Sequence, residues 1–171
     1  MKTIVLGEHL EMTALIERRR SLGLDTYDEV WNGVYVMAPF AHSSHGLIKS
    51  RLVYALEPRA RRAGLLSGDS FNLGEPSDFR VPDAGYHRGV PGTLYVPTAA
   101  LVLEVLSPDD ETFAKFDFYA AHGVDELIVA DPETHSIRCW QLTDGSYVEQ
   151  PASALLEVQM AILAAEVDWP L

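Results

Sequence analysis

Glu104 is the residue least expected where it stands. It interrupts the apolar stretch Leu101-Val102-Leu103 and Val105-Leu106 inside segment 99–107, which reads as a central strand covered on both faces. Strand alternation puts Val102, Glu104 and Leu106 on one face, and Leu101, Leu103 and Val105 on the other. A carboxylate there must be protonated, paired or metal-bound, because isolated burial of its charge is costly. Taken alone, the strand fits a structural ion pair or a solvent-edge position as well as a functional acid.

Asp83 adds a second carboxylate. It follows Pro82 at the end of what reads as a short strand, and 20 residues separate it from Glu104. Two acids at the ends of neighbouring strands could share a hard cation such as Mg²⁺ or Mn²⁺ through carboxylate oxygens. Pro-Asp is also ordinary turn chemistry, so the weight rests on its pairing with Glu104.

The remaining need is a cation. The same-face position two residues beyond Glu104 is Leu106, so the strand supplies none. Lys115 lies on the next helix, which could pack back and aim its ammonium at both carboxylates, to orient or deprotonate water or to stabilise negative charge. Tyr119, one turn later, shares that helical face. Alone, Lys115 would read as a surface lysine.

These residues need an α/β frame. Residues 8 to about 22 read as a helix stopped by Gly23, and residues 27–37 as β-structure turning at Asn32-Gly33. A second helix begins near His45, with Ser43 or Ser44 as its cap. Its stripe is Leu47, Ile48, Leu52 and Leu56, with Pro58 expected to bend or restart it and Gly64 to end it. Short strands are expected near 70–73, 79–83 and 93–96. Beyond the central strand, Asp109, Asp110 and Glu111 suit the positive end of a helix from about Thr112 to His122. Strands follow at 126–130 and 137–142, the latter ending at Thr143-Asp144-Gly145. The tail alternates like a strand at Leu156, Val158 and Met160, yet 161–167 also suits a helix.

At 171 residues, with 47% hydrophobic residues, the chain fits one domain spanning 1–171. No apolar run is long enough for a membrane span, and Cys139 alone cannot form an internal disulfide. The N-terminus meets Glu8 too early for a secretory leader, so a cytoplasmic address is expected. The net charge of −12 argues against a protein that coats nucleic acid. That charge is unevenly spread. Residues 1–88 hold 11 basic and 11 acidic residues, whereas 89–171 hold 2 basic and 14 acidic ones. Lys49, Arg51, Arg59, Arg61 and Arg62 fall within 14 residues containing one acid, Glu57. They form either a local basic surface or an ordinary solvated helix face.

In order and spacing, several short motifs resemble the Uma2 family, also called DUF820, of restriction-endonuclease-like proteins in the PD-(D/E)XK nuclease superfamily. They are Asp28-Glu29-Val30-Trp31-Asn32-Gly33-Val34-Tyr35, Met37-Ala38-Pro39 with His45, Arg80-Val81-Pro82-Asp83, Leu103-Glu104-Val105-Leu106-Ser107-Pro108, Lys115 with Tyr119, and Gly123-Val124-Asp125-Glu126 leading to Asp131-Pro132. The resemblance implies a restriction-endonuclease-like mixed β-sheet core flanked by α-helices, with Asp83 and Glu104 as metal-binding carboxylates. It places the lysine of the usual strand motif on the following helix, at Lys115. It also points to Glu29, which would complete a metal shell or position water, and to His45, which would contact phosphate or act as an auxiliary base.

The expected activity is a Mg²⁺- or Mn²⁺-dependent endonuclease acting on DNA, with the basic helix meeting the backbone; the remaining acidic charge predicts weak, salt-sensitive DNA binding by the isolated domain, and superfamily resemblance implies a homodimer. Two rivals remain. One is a catalytically silent interaction module that keeps the fold; the other is a hydrolase of a non-nucleic phosphoester.

Overall fold

The structure, a computed structural model, describes residues 3–5, 10–38, 42–107 and 111–170. Pro39, Pro108, Asp109 and Asp110 lie outside the described residues, as does the start of the first expected helix at residue 8.

The chain opens with β1 (Thr3–Val5), α1 (Leu10–Ser21) and the hairpin β2 (Glu29–Trp31) and β3 (Val34–Met37). Asn32 and Gly33 both have positive φ, 50° and 80°, as a two-residue hairpin turn that follows strand twist requires. Next come α2 (Ser43–Arg62), β4 (Leu66–Gly68), β5 (Asn72–Glu75), β6 (Asp78–Arg80), β7 (Ala84–His87) and β8 (Tyr95–Val96). The site-bearing unit is β9 (Leu101–Val105), a 3₁₀ turn (Thr112–Lys115), α3 (Phe116–Ala121) and β10 (Glu126–Asp131). The chain ends with β11 (Ser136–Thr143), β12 (Ser146–Gln150), β13 (Ala152–Ser153), β14 (Val158–Gln159) and α4 (Met160–Glu166).

The architecture is α/β, with two six-stranded sheets where one mixed sheet was expected. The central sheet runs β12-β11-β10-β9-β7-β4, and β9 pairs parallel to β10 across the α3 crossover while its other pairings are antiparallel. The second runs β1-β3-β2-β6-β5-β8. All five β9 residues are buried, and their faces divide as alternation requires. Leu101, Leu103 and Val105 join Ile48, Leu52 and Leu56 of α2 and Leu163 of α4 in one core. Val102 joins Phe118 and Tyr119 of α3, Leu127, Val129 and Trp140, together with Leu73 of the second sheet, in the other.

Several local features differ from expectation for identifiable reasons. The α2 cap is His42, whose Nδ1 accepts from the Ser44 amide, and neither serine takes that position. Pro58 does not restart α2, which runs as one helix from Ser43 to Arg62. It sits on the exposed face, where the core imposes no second constraint on the turn. Leu65 and Gly64 amides close on the Ala60 and Arg61 carbonyls, and Gly64 supplies the positive φ of 70° that this ending requires. The helix expected from Thr112 starts as a 3₁₀ turn. Strands β1, β4, β7, β12 and β13 have no counterpart in the sequence reading. The tail contains both a strand and a helix, because Val158 pairs with Ser153 before α4 begins.

Cys139 lies in the first core with no exposed surface, and burial pushes its thiol up to about 12. The thiolate is the reactive form. Native protein should therefore resist iodoacetamide at mildly alkaline pH, while urea-unfolded protein is alkylated quickly. Mass spectrometry of quenched samples reads the difference, and comparable rates would contradict the buried placement.

Candidate active site

Each site residue is set in place by ordinary local structure. Asp28 and Glu29 end the connection from α1. Asp28 takes a two-pronged contact from Arg19 and further hydrogen bonds from the Tyr35 hydroxyl and the Ala38 amide. That fixes the start of β2 and turns Glu29 inward, where it is 3% exposed. Glu29 Oε2 accepts from Trp31 Nε1 at 2.7 Å and Oε1 from the Val81 amide at 2.9 Å. Glu29 thereby ties β2 to the connection that leads into Asp83.

Asp83 precedes β7 and does not end the strand before it; β6 stops at Arg80. Ala84 pairs with Leu103 across the β7–β9 ladder, which leaves Asp83 beside Glu104. The Val105 amide donates to Asp83 Oδ2 at 2.8 Å, and the Asp83 amide reaches Glu104 Oε2 at 3.4 Å. From the first turn of α2, His45 Nε2 lies 3.1 Å from Asp83 Oδ2 and 3.0 Å from the Val105 carbonyl oxygen. Burial pulls the imidazole down, but Asp83 and the Val105 carbonyl outweigh it and hold His45 above its ordinary range.

The 3₁₀ turn delivers Lys115 to the same face. Its Nζ lies 2.9 Å from Glu29 Oε1 and 3.3 Å from Glu104 Oε1. The ammonium thus bridges Glu29 and Glu104, where the sequence reading aimed it at Asp83 and Glu104. Tyr119, one turn on, donates to Glu104 Oε1 at 2.6 Å. Burial works against the charged lysine, yet Glu104 and Glu29 raise it well above the usual lysine range. Burial drives the Glu104 carboxyl up to about 7, with Asp83 and Glu29 adding to the rise and Lys115 and Tyr119 opposing it. Three carboxylates therefore crowd one ammonium and one imidazole, and the local balance is negative.

Asp83, Glu104, Lys115, Glu29, His45 and Tyr119 form one connected network. The cations of α2 are arranged differently. Lys49 pairs with Asp69, Arg51 with Asp168, Arg59 with Glu166 and Arg61 with Glu57, while Arg62 is exposed in the last turn. Four of the five are engaged by acids, so α2 presents less free positive charge than its sequence suggests.

The sequence profile of one family, described as "Putative restriction endonuclease", matches residues 25–169. The chain belongs to the Uma2 family. A crystal structure described as "a putative nuclease belonging to DUF820", from Anabaena variabilis ATCC 29413, superposes with a TM-score of 0.64 at 14% identity. The match covers 81% of this chain and 90% of that one. At that identity the likeness speaks for the fold alone. No curated protein matches the chain significantly.

Within this Uma2 chain, sequence reasoning passed over Arg80 as a site support. Its guanidinium lies 4.3 Å from the Trp31 ring centre and 4.0 Å from that of Phe118, and it donates to the Val30 carbonyl at 2.6 Å. It thereby ties the second sheet to α3. Only its place in the Arg80-Val81-Pro82-Asp83 motif pointed towards it.

Among the described residues, no group of three or more His, Cys, Asp or Glu side chains is arranged to enclose a metal. The donor set nevertheless fits a hard cation that keeps much of its water. Asp83 Oδ1 has no hydrogen-bond partner among the described residues, and Glu104 Oε2 has only the long contact from Asp83. Two carboxylates with spare oxygen capacity suit Mg²⁺, which is commonly held by one or two carboxylates plus substrate phosphate.

Removing Lys115 strands two buried carboxylates. Lys115→Met should cost about 3–5 kcal/mol in urea unfolding. Adding Glu29→Gln, which removes one of the stranded charges, should recover part of that loss. A Lys115→Met protein as stable as wild type would contradict the bridging role.

Proposed function

We propose that the protein is a divalent-metal-dependent nuclease that hydrolyses phosphodiester bonds in DNA. The observation that carries this reading is the juxtaposition of Asp83, just before β7, with Glu104 of β9, with uncommitted carboxylate oxygen among the described residues and a buried ammonium alongside. Asp83 and Glu104 would hold Mg²⁺ or Mn²⁺. A bound metal supplies Lewis-acid polarisation of the phosphoryl oxygen and a lowered pKa for water.

The chain's own groups prepare that chemistry. His45 and the Val105 amide occupy Asp83 Oδ2, fixing the carboxylate so that Oδ1 is the free oxygen. Tyr119 and Lys115 occupy Glu104 Oε1 and leave Oε2 facing Asp83. Lys115, held by Glu29, keeps its positive charge beside the reacting region, where it orients water and offsets charge on the phosphate. Because Glu29 already receives Lys115, Trp31 and Val81, its role is to position the lysine. In-line attack by water on phosphorus, with loss of the 3′-oxygen, leaves a 5′-phosphate and a 3′-hydroxyl.

The silent-module reading draws on the engaged cations of α2 and the acidic second half. Metal binding discriminates the two. Mn²⁺ titrated into the full chain should bind, and Asp83→Asn should abolish that binding. Plasmid cleavage should need Mg²⁺ or Mn²⁺, stop with EDTA, and fall at least about 1,000-fold in Asp83→Asn and Glu104→Gln. Circular dichroism checks that both variants stay folded. Undiminished cleavage in these variants would sink the site assignment, and absence of metal binding would favour the silent module.

A further inference from the structure

After residue 88 the chain carries two basic residues, Lys115 and Arg138. Lys115 is committed to Glu29 and Glu104. Among the described residues, Arg138 is ion-paired with no acid, and its guanidinium makes no hydrogen bond. It lies instead over two rings, 5.2 Å from the centre of Phe113 and 4.9 Å from that of Trp140. Asp131 feels its charge, but that carboxylate is taken by the Glu133 and Thr134 amides and the Thr134 hydroxyl.

Strand register locates Arg138 relative to the site. Glu104 on β9 pairs with Val129 on β10, and Val129 pairs with Arg138 on β11. Residues paired in this way point to one face of a sheet, and Trp140, two residues on, packs on the same face as Val102 and Val129. At about 4.8 Å per strand, Arg138 stands roughly 10 Å from Glu104 at the same level of the sheet. Its platform, Phe113, belongs to the 3₁₀ turn that delivers Lys115 and is 46% exposed.

We propose that Arg138 is a second phosphate contact, gripping the nucleic-acid strand beside the bond cleaved at Asp83 and Glu104. The choice of substrate rests on the nuclease reading; the contact itself rests on the register and the free guanidinium. Guanidinium stacked on aromatic rings is pre-organised and weakly hydrated, which suits it to binding a phosphate. A span of about 10 Å reaches past the scissile phosphate to a neighbouring one on the same strand. The subsite therefore selects a polymer with phosphates flanking the scissile one, and gives no advantage to a small phosphodiester. It also supplies on the active face a cation that α2, with most of its charges paired, does not.

The test is fluorescence anisotropy of a labelled single-stranded DNA oligonucleotide with the full chain, in EDTA to prevent cleavage, across a salt series. Arg138→Gln should weaken binding about tenfold and reduce the log–log salt slope by about 0.7, the share of one phosphate contact on a single strand. Arg138→Lys should keep most of the slope. Thermal unfolding of both variants controls for loss of the aromatic stacking. In the cleavage assay, Arg138→Gln should raise KM for the oligonucleotide while leaving turnover of bis-p-nitrophenyl phosphate unchanged. Unaltered affinity and slope in Arg138→Gln, or no binding by wild type, overturns the proposal. Binding through Arg138 by a protein that cleaves nothing would end the nuclease reading and leave this contact standing. DNA cleavage with undiminished Arg138→Gln binding would do the reverse.

Discussion

The bridge from Lys115 to Glu29 and Glu104 is the interaction on which the rest of the site depends. It joins the second sheet, which carries Glu29, to the central sheet, which carries Glu104, through a group delivered by the crossover between β9 and β10. A buried ion pair brings little net stability of its own, since desolvation offsets most of the attraction. With Lys115 at 7% side-chain exposure and both acids comparably hidden, separating the two sheets would leave buried charge without its partner.

Where burial follows a simple period, the elements were legible from sequence. Strand β9 is buried at every residue and splits Glu104 from Val105 as alternation predicts. The hairpin at Asn32-Gly33 and the end of α2 at Gly64 were legible because positive φ leaves a strong mark on residue choice. Strands β4 and β12 were not, because edge strands are held by backbone pairing with β7 and β11, and their exposed faces impose no apolar period. The division into two sheets depends on which strands pair, and that is a long-range fact.

The site divides along the same line. Glu104 announced itself as a charge in an apolar strand, and Asp83 and Lys115 followed by spacing. The resemblance to Uma2 proteins added Glu29 and His45. What no local pattern could supply was the wiring: that Lys115 turns to Glu29, that His45 locks Asp83, and that Arg80 stands between Trp31 and Phe118. The charge count misled in a similar way. The run of cations on α2 is mostly consumed by acids such as Asp69, Asp168 and Glu166, which come from later in the chain.

The parallel pairing of β9 with β10 has a consequence for how the cluster around Lys115 is completed. A parallel pair cannot close as a hairpin; the segment between its strands must cross over the sheet. That segment holds Lys115 and Tyr119, and the ammonium finds its second acid only when the hairpin bearing Glu29, 86 residues upstream, has docked. Contacts of such sequence separation are intrinsically slow to form. The buried cluster of Glu29, Glu104 and Lys115 is thus complete only when both sheets are in place.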